Sequence, residues 1–190
     1  EADIVLGNKD KTKIYEYVMQ FLQTHERIIN IPEMDKEKCF EKMNSERIGT
    51  TRAALKVQDG CNNFCSYCII PFARGRIRSR DLDESVAEAE SLVAGGCSEI
   101  VLAGIHLDNY GKDLGNCDLC DLLERLGKID GLERVRLGSF EPVFITEKNV
   151  ERMKGVKNLC HHFHLSLQSG CEKTLKAMNR HYTPDEFAAA

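Results

Sequence analysis

Three cysteines carry the clearest chemistry in this chain. Cys61, Cys65 and Cys68 stand in DGCNNFCSYCIIPFARGRIRSR (residues 59–80), with the spacing C-x3-C-x2-C. Thiolates are soft ligands, and a tight group of them selects zinc or an iron–sulfur cluster. Structural zinc closes a tetrahedron with four ligands, usually two C-x-x-C pairs or one pair with two histidines. No partner pair follows Cys68 within the next 28 residues. A four-iron, four-sulfur cube has four corners to ligate, normally by four cysteines. Three cysteines leave one iron open to a substrate or cofactor. A zinc site, or thiols with no metal, are the competing readings.

The elements around the cysteines predict how they are held. AALKVQ (53–58) reads as a strand leading into the cysteine loop. DLDESVAEAESLVAGG follows as a helix, with Asp81 as N-cap, Glu84 three residues on and Gly95-Gly96 as the stop. SEIVLAG (98–104) is a continuous apolar run, the mark of a buried parallel strand. CDLCDLLERLG (117–127) is a helix, ERVRLGS (133–139) a strand, TEKNVERMKG (146–155) a helix and HFHLSLQSG (162–170) a fourth strand before helix-like EKTLKAMN. Such alternation predicts a parallel sheet with crossover helices. Polar or glycine residues follow every strand, as when successive loops build one mouth over a (β/α) barrel.

Upstream, ADIVLGN (2–8) reads as a strand and KTKIYEYVMQFLQTHE (11–26) as a helix with Ile14, Val18, Phe21 and Leu22 on one face. One strand and one helix cannot bury a core alone. Residues 1–30 are therefore read as the tail of a small α/β domain, 31–50 as a charged, irregular linker and 51–190 as the first half of a barrel. The expected fold class is α/β.

The chain has 190 residues, a net charge of -4, 42% hydrophobic and 29% charged residues, an ordinary globular composition. No run approaches the ~18 apolar residues of a membrane span, and EADIVLGNKDKTK has no signal-peptide pattern. Nine cysteines with no export signal, three of them bunched in a metal-like spacing, argue for a reducing cytoplasm rather than a disulfide scaffold. The mild acidity speaks against broad nucleic-acid affinity but leaves room for a local basic groove.

The cysteine motif, with Tyr67 just before its last cysteine and a first barrel strand before it, resembles the radical S-adenosylmethionine (SAM) superfamily. The flanks, with LGSFEP and HFHLSLQSGCEKTLKAMNRHYT, resemble its methylthiotransferase family, closest to the branch acting on threonylcarbamoyladenosine in tRNA beside the anticodon. The resemblance implies a 4Fe-4S cluster on Cys61, Cys65 and Cys68 whose open iron chelates SAM. One electron then cleaves the sulfonium to give a 5′-deoxyadenosyl radical. It also implies tRNA as substrate and a one-electron reductant such as flavodoxin or ferredoxin. A second 4Fe-4S cluster, the sulfur source in that family, needs three N-terminal cysteines; residues 1–50 hold only Cys39. The chain is therefore expected to represent part of such an enzyme, binding one cluster at best and not completing the reaction. A sibling acting on another tRNA adenosine or a ribosomal protein side chain, and a zinc-stabilised RNA-binding module, are the alternatives.

Ser139, Glu141, Gln168 and Ser169 follow the third and fourth strands, where a barrel mouth would expose them, and with Tyr67 and Arg180 they are read as SAM contacts, against loop-capping or surface roles. Arg74, Arg76, Arg78 and Arg80 either hold a SAM carboxylate or RNA phosphate, or form a solvated run pairing with Asp81, Asp83 and Glu84. Arg76 and Arg78 share a face if the stretch is extended. Gly104, His106 and Asn109 form either a SAM-binding loop or a polar turn. His161, His162 and His164 are placed in the barrel core or mouth rather than on a metal. Cys117 and Cys120 are read as helix-face cysteines rather than a redox pair.

Overall fold

The computed structural model describes residues 2–34, 39–41 and 50–190; most of the anticipated linker at 31–50 lies outside them. Near the N-terminus, β1 (Ile4–Leu6) is followed by α1 (Ile14–Thr24) and β2 (Ile28–Asn30). The last of these ends where the linker expected at 31–50 would begin. Ile28 pairs with Ile4 in parallel, and two adjacent β-branched residues suit a strand.

The central sheet is β3 (Arg52–Lys56), β6 (Glu99–Ala103) and β7 (Arg134–Leu137), all parallel and adjacent in chain order. Between β3 and β6 lie a short hairpin, β4 (Gln58–Asp59) with β5 (Arg78–Ser79), and the helices α2 (Ile70–Arg74) and α3 (Leu82–Ala94). Helix α4 (Leu119–Leu126) joins β6 to β7. Then come β8 (Ser139–Phe140), α5 (Glu147–Lys154), β9 (His164–Leu165), α6 (Glu172–Ala177) and α7 (Pro184–Ala189). A parallel bridge from Val135 to Leu159 and the parallel pair β8–β9 carry the ladder onward. The parallel strands β3, β6 and β7 lie in chain order with no reversal and β9 pairs with β8 beyond them, the winding of a barrel rather than of a doubly wound sheet.

Register explains the core. Ala53 faces Ile100, Leu55 faces Leu102, and these face Val135 and Leu137. Leu55, Ile100, Leu102 and Val135 are all 0% exposed, packed with α3 (Val86, Ala89, Leu92) and α4 (Leu122, Leu123, Leu126). Asp81 caps α3 as expected, accepting from the Asp83 and Glu84 amides. Asp118 and Asp121 close a reciprocal capping box at the start of α4. At the N-terminal ends of the strands, buried Glu99 is clasped by Arg52 (2.7 Å), Arg134 (2.8 Å) and Arg136 (3.2 Å).

The expected strand at 53–58 breaks at Val57, because Gln58 and Asp59 turn away to pair antiparallel with Arg78 and Ser79. The fourth strand is two residues long rather than spanning 162–170: its ladder runs only to β8 among the described residues. His161 and His162 are consequently exposed and outside it, contrary to the core placement. His164 is likewise exposed, 2.7 Å from Ser139 Oγ.

Candidate functional site

The cysteine loop is anchored at its root by two buried side chains. Gln58, 0% exposed, donates to the Asp59 and Gly60 carbonyls and accepts the His106 amide (2.9 Å), tying the loops after β3 and β6 together. Asp59 accepts from Lys56 Nζ (2.6 Å), the Gly60 amide (2.8 Å) and Arg74 (3.2 Å). Burial raises the Asp59 pKa, but these cations and the amide outweigh it and hold it below the ordinary carboxylate value. Gly60 has φ +71°, and a Cβ there would lie 1.9 Å from the Arg76 carbonyl oxygen, so only glycine fits before Cys61.

A segment more than 110 residues away holds the loop from above. Ser66 N donates to Met178 O (3.0 Å), and Asn179 Nδ2 donates to both Asn63 O (3.0 Å) and Phe64 O (3.1 Å). Phe64 and Asn179 both adopt left-handed backbone, φ 48° and 55°. Phe64 is steadied by Phe72, edge-on at 5.5 Å, and by the Arg76 guanidinium 4.4 Å over its ring.

Cys61, Cys65 and Cys68 line one wall of a cleft of about 200 Å³. Its other walls come from the ends of β6 (Ile105, His106), β8 (Ser139, Glu141) and β9 (Ser166, Gln168), together with Asn63, Tyr67 and Arg180. Four successive strand ends thus meet at one mouth, the layout the sequence pattern predicts. The cleft is smaller than the ~300–1,000 Å³ of common small-molecule sites, as one side of a larger mouth would be.

Polar groups surround the sulfurs. Arg180 Nη1 donates to Cys65 Sγ (3.2 Å), Asn63 N to Cys61 Sγ (3.5 Å), and His106 Nδ1 is 3.7 Å from Cys61 Sγ. Burial pushes the Cys61 thiol up, but His106 and the Asn63 amide outweigh it and hold its pKa below the ordinary thiol value. Glu141 sits at the hub: Arg180 Nη2 is 2.6 Å from Oε1, Asn63 Nδ2 2.8 Å and His106 Nε2 3.6 Å. Burial opposes a charge on the His106 ring, but Asp108, Cys61 and Glu141 prevail and raise its pKa to about 10.

The donor set suits an iron–sulfur cluster. The three cysteines are free thiols on one open cleft, and two receive N–H···S contacts of the kind that support cluster thiolates. Among the described residues no three His, Cys, Asp or Glu side chains gather around a point fit for one metal ion. Three sulfurs that each ligate a different iron need no such point.

The singled-out residues divide. Tyr67, Ser139, Glu141, Gln168 and Arg180 line the cleft. Ser169 does not; its Oγ accepts the Cys171 amide at 3.1 Å. The basic run disperses. Arg74 and Arg78 turn to Asp59, Arg80 pairs with Glu88, and Arg76 lies over Phe64. Face-sharing does not describe it, since Arg76 is exposed and Arg78 is buried beside the hairpin; of the acids expected to pair, Glu84 acts on Arg80, whereas Asp83 meets Arg125. Burial lifts the Cys120 thiol to about 11 and raises that of Cys117, which suits core cysteines rather than a redox pair. Sequence reasoning missed Asn63 and Asn179; an asparagine beside Arg180 at a helix end was the one available signal for the latter.

The fold and the cleft define a (β/α)-barrel protein with three cysteines gathered at its mouth. The chain belongs to the radical SAM superfamily, whose family profile matches residues 55–190. It is 39% identical over 189 residues to the threonylcarbamoyladenosine tRNA methylthiotransferase MtaB of Bacillus subtilis, covering 98% of this chain and 42% of that protein. It is 37% identical over 187 residues to the tRNA-2-methylthio-N(6)-dimethylallyladenosine synthase of Clostridium tetani, covering 98% and 41%. The chain thus spans about two fifths of the length of these relatives. Among solved structures, the radical SAM methyltransferase TsrM of Kitasatospora setae, with tryptophan and a SAM analogue bound, shares the fold. Its TM-score is 0.59 at 19% identity, over 75% of this chain and 30% of that one.

Proposed function

We propose that the whole protein is a methylthiotransferase that adds a methylthio group to C2 of N6-threonylcarbamoyladenosine beside the tRNA anticodon. The observation that carries this reading is the gathering of Cys61, Cys65 and Cys68 at one mouth, in a chain 39% identical to a relative named for that nucleoside. Cys61, Cys65 and Cys68 would hold a 4Fe-4S cluster, which when bound supplies the electron that cleaves SAM and makes a radical able to take hydrogen from an unactivated adenine carbon.

The chain's own residues bind and orient. Tyr67 offers an aromatic face at the rim, and Ser139 and Gln168 offer hydrogen bonds from two neighbouring strand ends. Glu141 accepts from Asn63 and Arg180, fixing the polar side of the cleft beside the sulfurs, and can take a SAM ammonium there. Ser169 accepts the Cys171 amide, capping the turn into α6 next to Gln168 in sequence. Residues 1–30 fit the end of an N-terminal methylthiotransferase domain and 51–190 half of the catalytic barrel. A cytoplasmic setting, a flavodoxin- or ferredoxin-like reductant and a second cluster in the rest of the protein belong to the same reading. No helix among the described residues is long and apolar enough to cross a membrane.

The 37% identity to a dimethylallyladenosine enzyme favours one second reading, in which the neighbouring N6 group differs. Incubating the full-length, reconstituted protein with tRNAs carrying either nucleoside separates the two. Mass spectrometry of the digested tRNA should show a methylthio adduct on threonylcarbamoyladenosine. An adduct confined to the dimethylallyl nucleoside would select the second reading, and none on either would reject both.

A further inference from the structure

A buried guanidinium needs anionic or polar partners on every side. The Arg180 side chain is 6% exposed. Glu141 holds Nη2 at 2.6 Å, and the Tyr182 hydroxyl accepts from the same nitrogen at 3.2 Å. Tyr182 is itself fixed: its hydroxyl donates to the Ser166 and Leu167 carbonyls, and its ring lies 5.0 Å from the guanidinium carbon. Nη1 donates to Cys65 Sγ at 3.2 Å, while buried Nε has no hydrogen-bond partner among the described residues. The fork is therefore held from behind, with one donor on a sulfur and another unspent at the same cleft.

We infer that Arg180 is the fixed cationic hydrogen-bond donor to the Cys65 ligand sulfur and sets how readily the cluster accepts its electron. The inference rests on Cys65 being a cluster ligand. N–H···S bonds and a nearby positive charge stabilise the reduced, more negative state of a cluster, and do so more strongly where water is kept away. Arginine suits this task because it cannot give up its proton. Lysine would keep the charge but not the fork that engages Glu141 and Cys65 together. A residue that only met SAM would leave the SAM-free cluster unchanged.

The test uses the chain reconstituted without oxygen from iron and sulfide, in the absence of SAM. Midpoint potentials are read by dye-mediated titration with electron paramagnetic resonance, and iron is counted for each sample. Arg180→Gln should shift the potential to a more negative value, Arg180→Lys should recover part of the shift, and Arg125→Gln on α4 should give the wild-type value. Equal potentials in wild type, Arg180→Gln and Arg180→Lys at full iron content would overturn the inference. If Arg180→Gln retains no cluster, Arg180→Lys decides: a more negative potential supports the role and a wild-type potential overturns it. A wild-type chain that takes up no iron–sulfur cluster would instead remove the ligand assignment, and the inference with it.

Discussion

Replacing Asn179 with alanine should loosen the cysteine loop without touching a cysteine. The substitution removes two hydrogen bonds, to the Asn63 and Phe64 carbonyls. Both are solvent-accessible, so each contributes about 0.5 kcal/mol, the low end for such bonds. Asn179 also has φ 55°, where asparagine is tolerated and alanine costs about 1 kcal/mol. The sum is about 2 kcal/mol. Glycine separates the two parts, since it loses the bonds but accepts the backbone. Urea unfolding of the metal-free chain should therefore show Asn179→Ala destabilised by ~2 kcal/mol and Asn179→Gly by ~1 kcal/mol, at unchanged m-value. Reconstituted Asn179→Ala should also lose iron to a chelator faster than wild type. Destabilisation below ~0.5 kcal/mol for both variants, with wild-type iron retention, would refute the clamp, because surface substitutions alone stay within that range.

Other perturbations act at separate points. Gly60→Ala forces a Cβ to 1.9 Å from the Arg76 carbonyl at φ +71°, so the loop must move; iron uptake should fall to near zero while the far-ultraviolet circular dichroism persists. Glu99 has its pKa lowered by Arg134 first, then Arg136 and Arg52, against burial. Its stabilising contribution is full above the unfolded carboxylate pKa of ~4.3 and is lost as pH falls through the lower folded value. Stability measured by urea from pH 6 to pH 3 should therefore fall less steeply in Glu99→Gln, which should itself cost ~1 kcal/mol at pH 7 because three arginines lose their shared anion. Cys117→Ser and Cys120→Ala should leave iron content unchanged; loss of iron in either would restore a ligand role for that pair.

The fold was legible where periodicity and capping agree. Asp81 with Glu84, the unbroken Ile100–Ala103 run and the glycines at 95 and 127 fixed helices and parallel strands to within a residue or two. Short elements were not, because a two-residue strand such as His164–Leu165 has no period to read. The mouth was legible as strand-end positions, which is why Ser139, Glu141 and Gln168 meet the cysteines there. What the pattern could not carry was pairing across distance. Four arginines in alternation look like one basic strip, yet Asp59 and Glu88 draw three of them to different places. The contacts of Arg180 with Cys65 and Asn179 with Phe64 join residues about 115 positions apart, and no local spacing announces them.

The most direct test of the account is electron paramagnetic resonance of the anaerobically reconstituted, reduced chain, recorded with and without SAM. A cubane signal that changes when SAM is added, and that is absent in Cys61→Ala, Cys65→Ala and Cys68→Ala, is the predicted result. Tightly bound zinc with no iron–sulfur signal, or a cluster that persists when these cysteines are replaced, would contradict it.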